Sequence, residues 1–159
     1  MKNILFLCTG NSCRSQMAEA FAKVLPGDRY SVFSAGIEKH GLNPMMLRVM
    51  DEVGMDMSDH RSKTVEELPV KEWFMVVTVC SHAEENCPFL PAQHHVHLPF
   101  DDPPAFCRAL SDEEEILSVY SRVRDEIKNG VAALSQEILL LSSVASGTSN
   151  HSSPLSTNE

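Results

Sequence analysis

Positive charge is scarce in this sequence. Only 13 lysines and arginines face 22 aspartates and glutamates, a formal net charge of -9. General nucleic-acid binding needs a basic surface, so that class is excluded, and any anion site must draw on a local field. Long apolar runs are lacking too: the N-terminal one is Ile4-Leu5-Phe6-Leu7, preceded by a single lysine. Neither a signal peptide nor a membrane span reads that way, and a cytoplasmic location is expected. Cys8, Cys13, Cys80, Cys87 and Cys107 are an odd set of five, and the six residues between Cys80 and Cys87 are poor zinc spacing. In a reducing compartment a static disulfide framework is not expected, which leaves catalysis, redox chemistry or metal binding for these thiols. No internal repeat is visible.

What is present is an ordinary globular composition, 43% hydrophobic and 22% charged over 159 residues. That length suits one domain with a proper core. Its focus is Cys8-Thr9-Gly10-Asn11-Ser12-Cys13-Arg14-Ser15, between a short apolar strand and a helix expected from Gln16 to Leu25. Strand, tight turn and helix start aim unpaired backbone amides at the Cys8 thiol, which attracts anions and favours a thiolate. Arg14 adds a planar guanidinium suited to two oxygens of a tetrahedral oxyanion. The plainer alternative is a buried cysteine and a surface arginine around an ordinary turn.

Beyond the breaker Pro26-Gly27-Asp28, a strand is expected over Tyr30–Ser34, closed by Ala35-Gly36. Asn43-Pro44 reads as the N-cap and first position of a helix with Met46, Leu47, Met50 and Val53 on one face, stopping at Gly54. That methionine stripe reads as core packing. Asp56 to Pro69 reads as a loop with a short helical turn. Trp73–Val79, nearly continuous and β-branched or aromatic, reads as a strand buried on both faces. It ends at Cys80, after which the capping-box spacing of Ser81 and Glu84 predicts a short helix. His94–Leu98 is a further strand candidate, and Asp101-Asp102-Pro103-Pro104 a rigid loop. From Ser111 a second capping box opens a long amphipathic helix carrying Ile116, Tyr120, Val123, Ile127, Val131, Leu134, Ile138 and Leu141, with Asn129-Gly130 as a place to fray or bend. Residues 142–159 read as a disordered Ser-rich tail after a catalytic domain at 1–141.

Alternating strands and helices imply an α/β fold with a mainly parallel sheet, whose ligands bind beyond the carboxyl ends of the strands. Cys8 and Cys80 both end a predicted strand and should share that rim. If Ser81 onward is helical, Cys80 and Cys87 lie about 10 Å apart. A disulfide needs Cα atoms within roughly 7 Å, so joining these two requires the segment to unwind. A thiolate attacking a bound oxyanion needs a proton donor for the leaving oxygen; Asp101 and Asp102 are the candidates, and the pattern does not choose between them. His95 and His97 share a strand face but have no ligand partner at useful spacing, so they and His94 read as solvated residues. His82 is either a neighbour tuning Cys80 or a plain surface histidine.

Cys8–Ser15 with Gln16-Met17-Ala18-Glu19 resembles the thioredoxin-coupled arsenate reductases, which are built on the low-molecular-weight tyrosine phosphatase fold. The likeness extends through Ser34-Ala35-Gly36-Ile37-Glu38, Val76-Val77-Thr78-Val79-Cys80 with Cys87-Pro88, Phe100-Asp101-Asp102-Pro103 and Arg122-Val123-Arg124-Asp125-Glu126-Ile127. It implies a three-layer sandwich around a four-stranded parallel sheet, and a relay of three thiols. In that relay Cys8 attacks arsenate, Cys80 attacks Cys8 and releases arsenite, and Cys87 attacks Cys80 to give a disulfide for thioredoxin. Arg14 and Ser15 would serve the loop, with Asp102, the aspartate before proline, as the acid. No tightly bound cofactor is implied, and the chain is expected to be a monomer. In members that bind potassium, Asn11, Glu19 and Ser34 match three ligands; the fourth, acidic there, is Lys63 here, whose ammonium is expected to replace the ion. The resemblance gives no role to Cys13 or Cys107. The runner-up reading is a phosphotyrosine phosphatase using the same Cys8, Arg14 and Asp102; a third is a non-catalytic oxyanion or thiol sensor, against which that intact set speaks. Glutaredoxin or a small thiol is an alternative reductant.

Overall fold

The structure, a computed structural model, describes residues 2–27, 29–80 and 90–150, the last nine of them by backbone alone. The expected helix at Ser81, and with it His82 and Cys87, lies outside the described residues.

Four parallel strands form one sheet in the order β2-β1-β3-β4: β1 Lys2–Cys8, β2 Tyr30–Gly36, β3 Trp73–Thr78 and β4 Ala92–His97. The α/β class and the parallel sheet agree with the sequence reading. In β3 the residues Trp73 to Val77 are all buried, as its unbroken apolar run requires. The edge strand β4 instead alternates, with Gln93, His95 and His97 exposed and Ala92, His94 and Val96 half-buried. His94 stacks edge-on against Phe74 with ring centroids 4.9 Å apart, His97 meets the Thr78 hydroxyl at 2.9 Å, and His95 meets the Leu90 carbonyl at 2.9 Å. No group of three or more metal-ligating side chains forms among the described residues.

The strand order places the sheet's reversal point between β1 and β3. The chain leaves β1 toward β2 on one side, then crosses to β3 on the other, which opens a crevice at the carboxyl ends of those two central strands. Cys8 closes β1 and Cys80 follows β3. The two cysteines therefore flank the place where such a sheet holds a ligand.

Helix α1, Arg14–Lys23, packs on β1 and β2, and is buried along Ser15 to Phe21. Helix α2, Pro44–Glu52, starts where Asn43 accepts hydrogen bonds from the Met45 and Met46 amides, with Pro44 at the first position. Its buried residues are Met46, Val49 and Met50; Val53, expected on that face, is 44% exposed. The helix ends one residue before it, so Val53 belongs to the turn into Gly54 and not to the helical stripe. A single 3-10 turn over Val65–Glu67 interrupts the loop between α2 and β3, as expected.

Two further readings are corrected. Pro103–Phe106 is not a rigid loop but one helical turn, α3, with Asp102 before its first residue. Proline suits the first turn because its missing amide has no intrahelical partner there. Helix α4, Glu113–Asn150, runs on through Gly130 and does not stop at Leu141. Once nucleated, a helix adds residues cheaply, and no proline lies between Glu113 and Asn150 to stop it. Residues 151–159 lie outside the described residues. Tyr120, Val123, Ile127, Val131, Leu134 and Ile138 form the buried stripe of α4, at the predicted helical spacing. Arg124 is buried with them and donates to the Val49 carbonyl at 3.0 Å, tying α4 to α2. Among the described residues, no helix is long and apolar enough to cross a membrane.

Candidate active site

The loop from Cys8 to Arg14 wraps the carboxyl end of β1 and feeds α1. Cys13 stands at the N-cap of α1 with no side-chain cap bond, so its side chain does not occupy the first-turn amides. Those amides and the positive end of the helix face the same crevice as Cys8. The Cys8 sulfur lies 2.8 Å from the Ser15 hydroxyl and 3.3 Å from the Asn11 amide, which donates to it.

Asn11 holds this shape. It has φ 51, in the left-handed region, and is completely buried. Asparagine tolerates that region better than most residues, but the conformation still has to be held by its surroundings. Its side-chain amide donates to the Ser15 and Ser34 hydroxyls at 2.9 Å each. Its side-chain oxygen accepts from Gln16 Nε2 and the Lys63 amide, also at 2.9 Å. Gln16, buried and polar, donates as well to the carbonyls of Asn11 and Arg61, and His60 Nδ1 sits 2.9 Å from its Oε1. Gly36 closes the other side: a Cβ there would come within 2.6 Å of the Thr9 carbonyl oxygen and 2.9 Å of the Asn11 nitrogen. Only glycine lets strand β2 approach the loop this closely.

Among the expected potassium-site remnants, a lysine ammonium stands where a cation would sit. Lys63 Nζ lies 3.5 Å from Asn11 Oδ1, 3.4 Å from Ser34 Oγ, 3.2 Å from the Arg61 carbonyl and 3.6 Å from Glu19 Oε1. Glu19 also pairs with Lys23 and accepts from Ser34. Burial alone would raise the Glu19 carboxyl. The hydrogen bonds from Lys23 and Ser34 and the Lys63 charge outweigh it and hold the group below its ordinary value. Burial lowers Lys63, with Glu19 opposing. The residues present do not fit a potassium ion, because a covalently attached cation fills the centre of the ligand set.

Arg14 borders the mouth of the cradle. Its Nη1 donates to the Phe100 carbonyl at 2.9 Å and its Nη2 lies 3.5 Å from Asp102. Asp101 turns away and pairs with Arg122 at 3.1 Å. The sequence left the choice between these aspartates open; the fold brings Asp102 to the arginine. On the β3 side, Thr9 Oγ1 sits 3.6 Å from the buried Cys80 sulfur. Cys8, Ser15, Arg14, Asp102 and Cys80 are thus brought together at one rim. Cys13 is buried beneath it, and Cys107 is half-buried beyond α3.

One electrostatic expectation is reversed. The helix N-terminus was expected to favour a Cys8 thiolate, but burial pushes the thiol above its ordinary value, with the Ser15 hydroxyl and the Asn11 and Ser15 amides pulling the other way. Desolvation disfavours the charged form, and here it outweighs those hydrogen bonds. Cys13, also buried, is raised for the same first reason. Sequence reasoning singled out neither His60 nor Ser62, which donates to the Gly10 carbonyl at 2.9 Å. Both come from the mixed polar loop after α2, where periodicity carries no signal.

A family described as low molecular weight phosphotyrosine protein phosphatase matches residues 3–140. An arsenate reductase of Bacillus subtilis is 50% identical over 131 residues, covering 80% of this chain and 91% of that protein. A solved arsenate reductase in its phosphate-binding state superposes with a TM-score of 0.69 at 31% identity, over 87% of this chain and 99% of that one. A thioredoxin-dependent arsenate reductase of Corynebacterium glutamicum superposes with a TM-score of 0.64 at 25% identity, over 88% of this chain and 63% of that one.

The thiolate absorbance difference between the parent and Cys8→Ser tests the electrostatics. Without an oxyanion, it should develop above the ordinary thiol value of 9.0. Ser15→Ala should move it further up, because the lost hydroxyl favours the thiolate. A midpoint near neutrality in the parent would contradict the burial argument.

Proposed function

The chain belongs to the low molecular weight phosphotyrosine protein phosphatase family, and on that premise we propose that it reduces arsenate to arsenite by a three-thiol relay regenerated by thioredoxin. The observation that carries this reading is the second buried thiol at the cradle's mouth. Cys80 Sγ lies within 3.6 Å of Thr9, the residue after Cys8. Hydrolysis of a phosphate ester has no use for it; transfer of electrons to a bound oxyanion does.

The cradle binds a hydrogen arsenate dianion through the loop amides and Arg14. The Cys8 thiol gives up its proton as it reacts, and the incoming dianion is the base that can take it. The resulting thiolate attacks arsenic: an S–As bond forms, an As–O bond breaks, and the leaving oxygen takes a proton from Asp102 and departs as water. Arsenic is still pentavalent at that point. Ser15 and the Asn11 amide, both within hydrogen-bond reach of the sulfur, steady the charge that develops on it.

Cys80 then attacks the Cys8 sulfur as a thiolate. An S–S bond forms, the S–As bond breaks, and its electron pair stays on arsenic, which leaves as trivalent arsenite. Two thiols have supplied the two electrons. Cys87 attacks Cys80, freeing Cys8 and moving the disulfide outward, and a thioredoxin dithiol returns the pair to the reduced state. Lys63 takes the structural place of a potassium ion beneath the loop, so no step uses that ion. Catalysis of this kind belongs in a reducing, cytoplasmic compartment.

A phosphatase reading is supported by the family itself, since arsenate and phosphate share shape and charge and use the same Cys8, Arg14 and Asp102. Residual phosphate-ester hydrolysis is compatible with the relay. Cys80 is what separates the two readings.

Arsenate turnover with thioredoxin, thioredoxin reductase and NADPH distinguishes them. The parent should turn over continuously, whereas Cys87→Ser should release one arsenite per chain and stop as a Cys8–Cys80 disulfide. Sustained turnover by that variant would refute the relay. Thermal unfolding tests Lys63: the parent's midpoint should be the same in potassium and sodium chloride, and Lys63→Asp should gain a rise specific to potassium. A potassium-stimulated parent would contradict the replacement.

A further inference from the structure

Gly130 stands in the middle of α4, where glycine is the least favoured residue other than proline. Its backbone is ordinary helix, so the exception is not explained by a left-handed turn. A Cβ at this position would come within 2.8 Å of Phe100 Cζ, 3.3 Å of Cε1 and 3.7 Å of Leu98 Cδ2. The missing side chain is therefore the seat of the Phe100 ring.

Phe100 is held at two other points. Its amide donates to the Val79 carbonyl at 3.1 Å, one residue before Cys80. Its own carbonyl accepts from Arg14 Nη1 at 2.9 Å. A single residue thus joins the arginine of the anion loop, the strand end carrying Cys80 and the long helix behind them. The guanidinium has five N–H donors; one goes to the Phe100 carbonyl and Nη2 lies beside Asp102, which anchors the group and leaves further donors for an oxyanion.

We propose that Gly130 is a positioning residue for Arg14. By seating the Phe100 ring against α4, it sets the carbonyl that orients the guanidinium toward the anion. This rests on the reading of Arg14 as the anion clamp. Gly130 never touches substrate; it acts through Phe100. A purely structural role would show as lost stability, not as a selective loss of anion affinity.

The probe is inorganic phosphate, read as protection of Cys8 from iodoacetamide in the full chain, with helical circular dichroism as a check on folding. Gly130→Ala, which helix propensity alone favours, should retain its helix content and bind phosphate about tenfold more weakly, since small misplacements of a clamp are costly. Phe100→Leu removes Cζ and Cε1 but keeps the carbonyl, and should weaken binding about threefold. The double variant should match Phe100→Leu alone, because the added methyl no longer meets a ring. Unchanged phosphate affinity in Gly130→Ala would overturn the proposal, as would a loss that adds to that of Phe100→Leu. If Gly130→Ala does not fold, Phe100→Leu decides: parent-like affinity there overturns the proposal as well. Absence of phosphate protection in the parent would instead bring down the anion-clamp reading on which it rests.

Discussion

The site depends on a buried asparagine held in a left-handed conformation. Asn11 places its own amide against the Cys8 sulfur and uses its side chain to hold Ser15, Ser34, Gln16 and the Lys63 backbone together. Each of those partners is a polar group with little or no access to water, and leaving one unsatisfied costs about 1–3 kcal/mol. The loop therefore has few alternative shapes. Its inward amides are arranged before any anion arrives, which is the condition for electrostatic stabilisation without reorganisation. Among the described residues, no buried side-chain polar atom lacks a partner, so the network is complete as it stands.

An acidic protein that binds an oxyanion must confine its positive field. Here the field comes from the start of α1, from Arg14, and from Lys63 tethered beneath the loop. Lys63 neutralises Glu19, which is buried close by and would otherwise oppose an incoming dianion. Across the crevice made by the strand order, the buried Cys80 sulfur lies 3.6 Å from Thr9 Oγ1, next to the loop.

Much of this was legible in the residues. The β-branched run of β3 announced a central strand, and the spacing from Tyr120 to Ile138 announced the helix covering the core. Asn43-Pro44 marked the start of α2. Glycine at 36 and asparagine at 11 are residue types suited to close approach and left-handed backbone, but a sequence does not say which neighbours need them. The misreadings have physical causes. Val53 continues the helical period after the helix has ended, Pro103-Pro104 suits a loop and a first helical turn equally, and Gly130 reads as a weakness until the Phe100 ring is seen against it. The Cys8 expectation counted amides and helix dipole but not desolvation, which depends on how much of the fold closes around the sulfur.

The proton, the anion and the two flanking sulfurs meet in one event, the first turnover. Reduced protein can be given one equivalent of arsenate without any external reductant, then quenched by alkylation and digested for disulfide mapping by peptide mass. A thiol relay predicts one arsenite per chain, a Cys80–Cys87 disulfide and an alkylated Cys8. No arsenite, or arsenite accompanied by a disulfide that excludes Cys80, would contradict it.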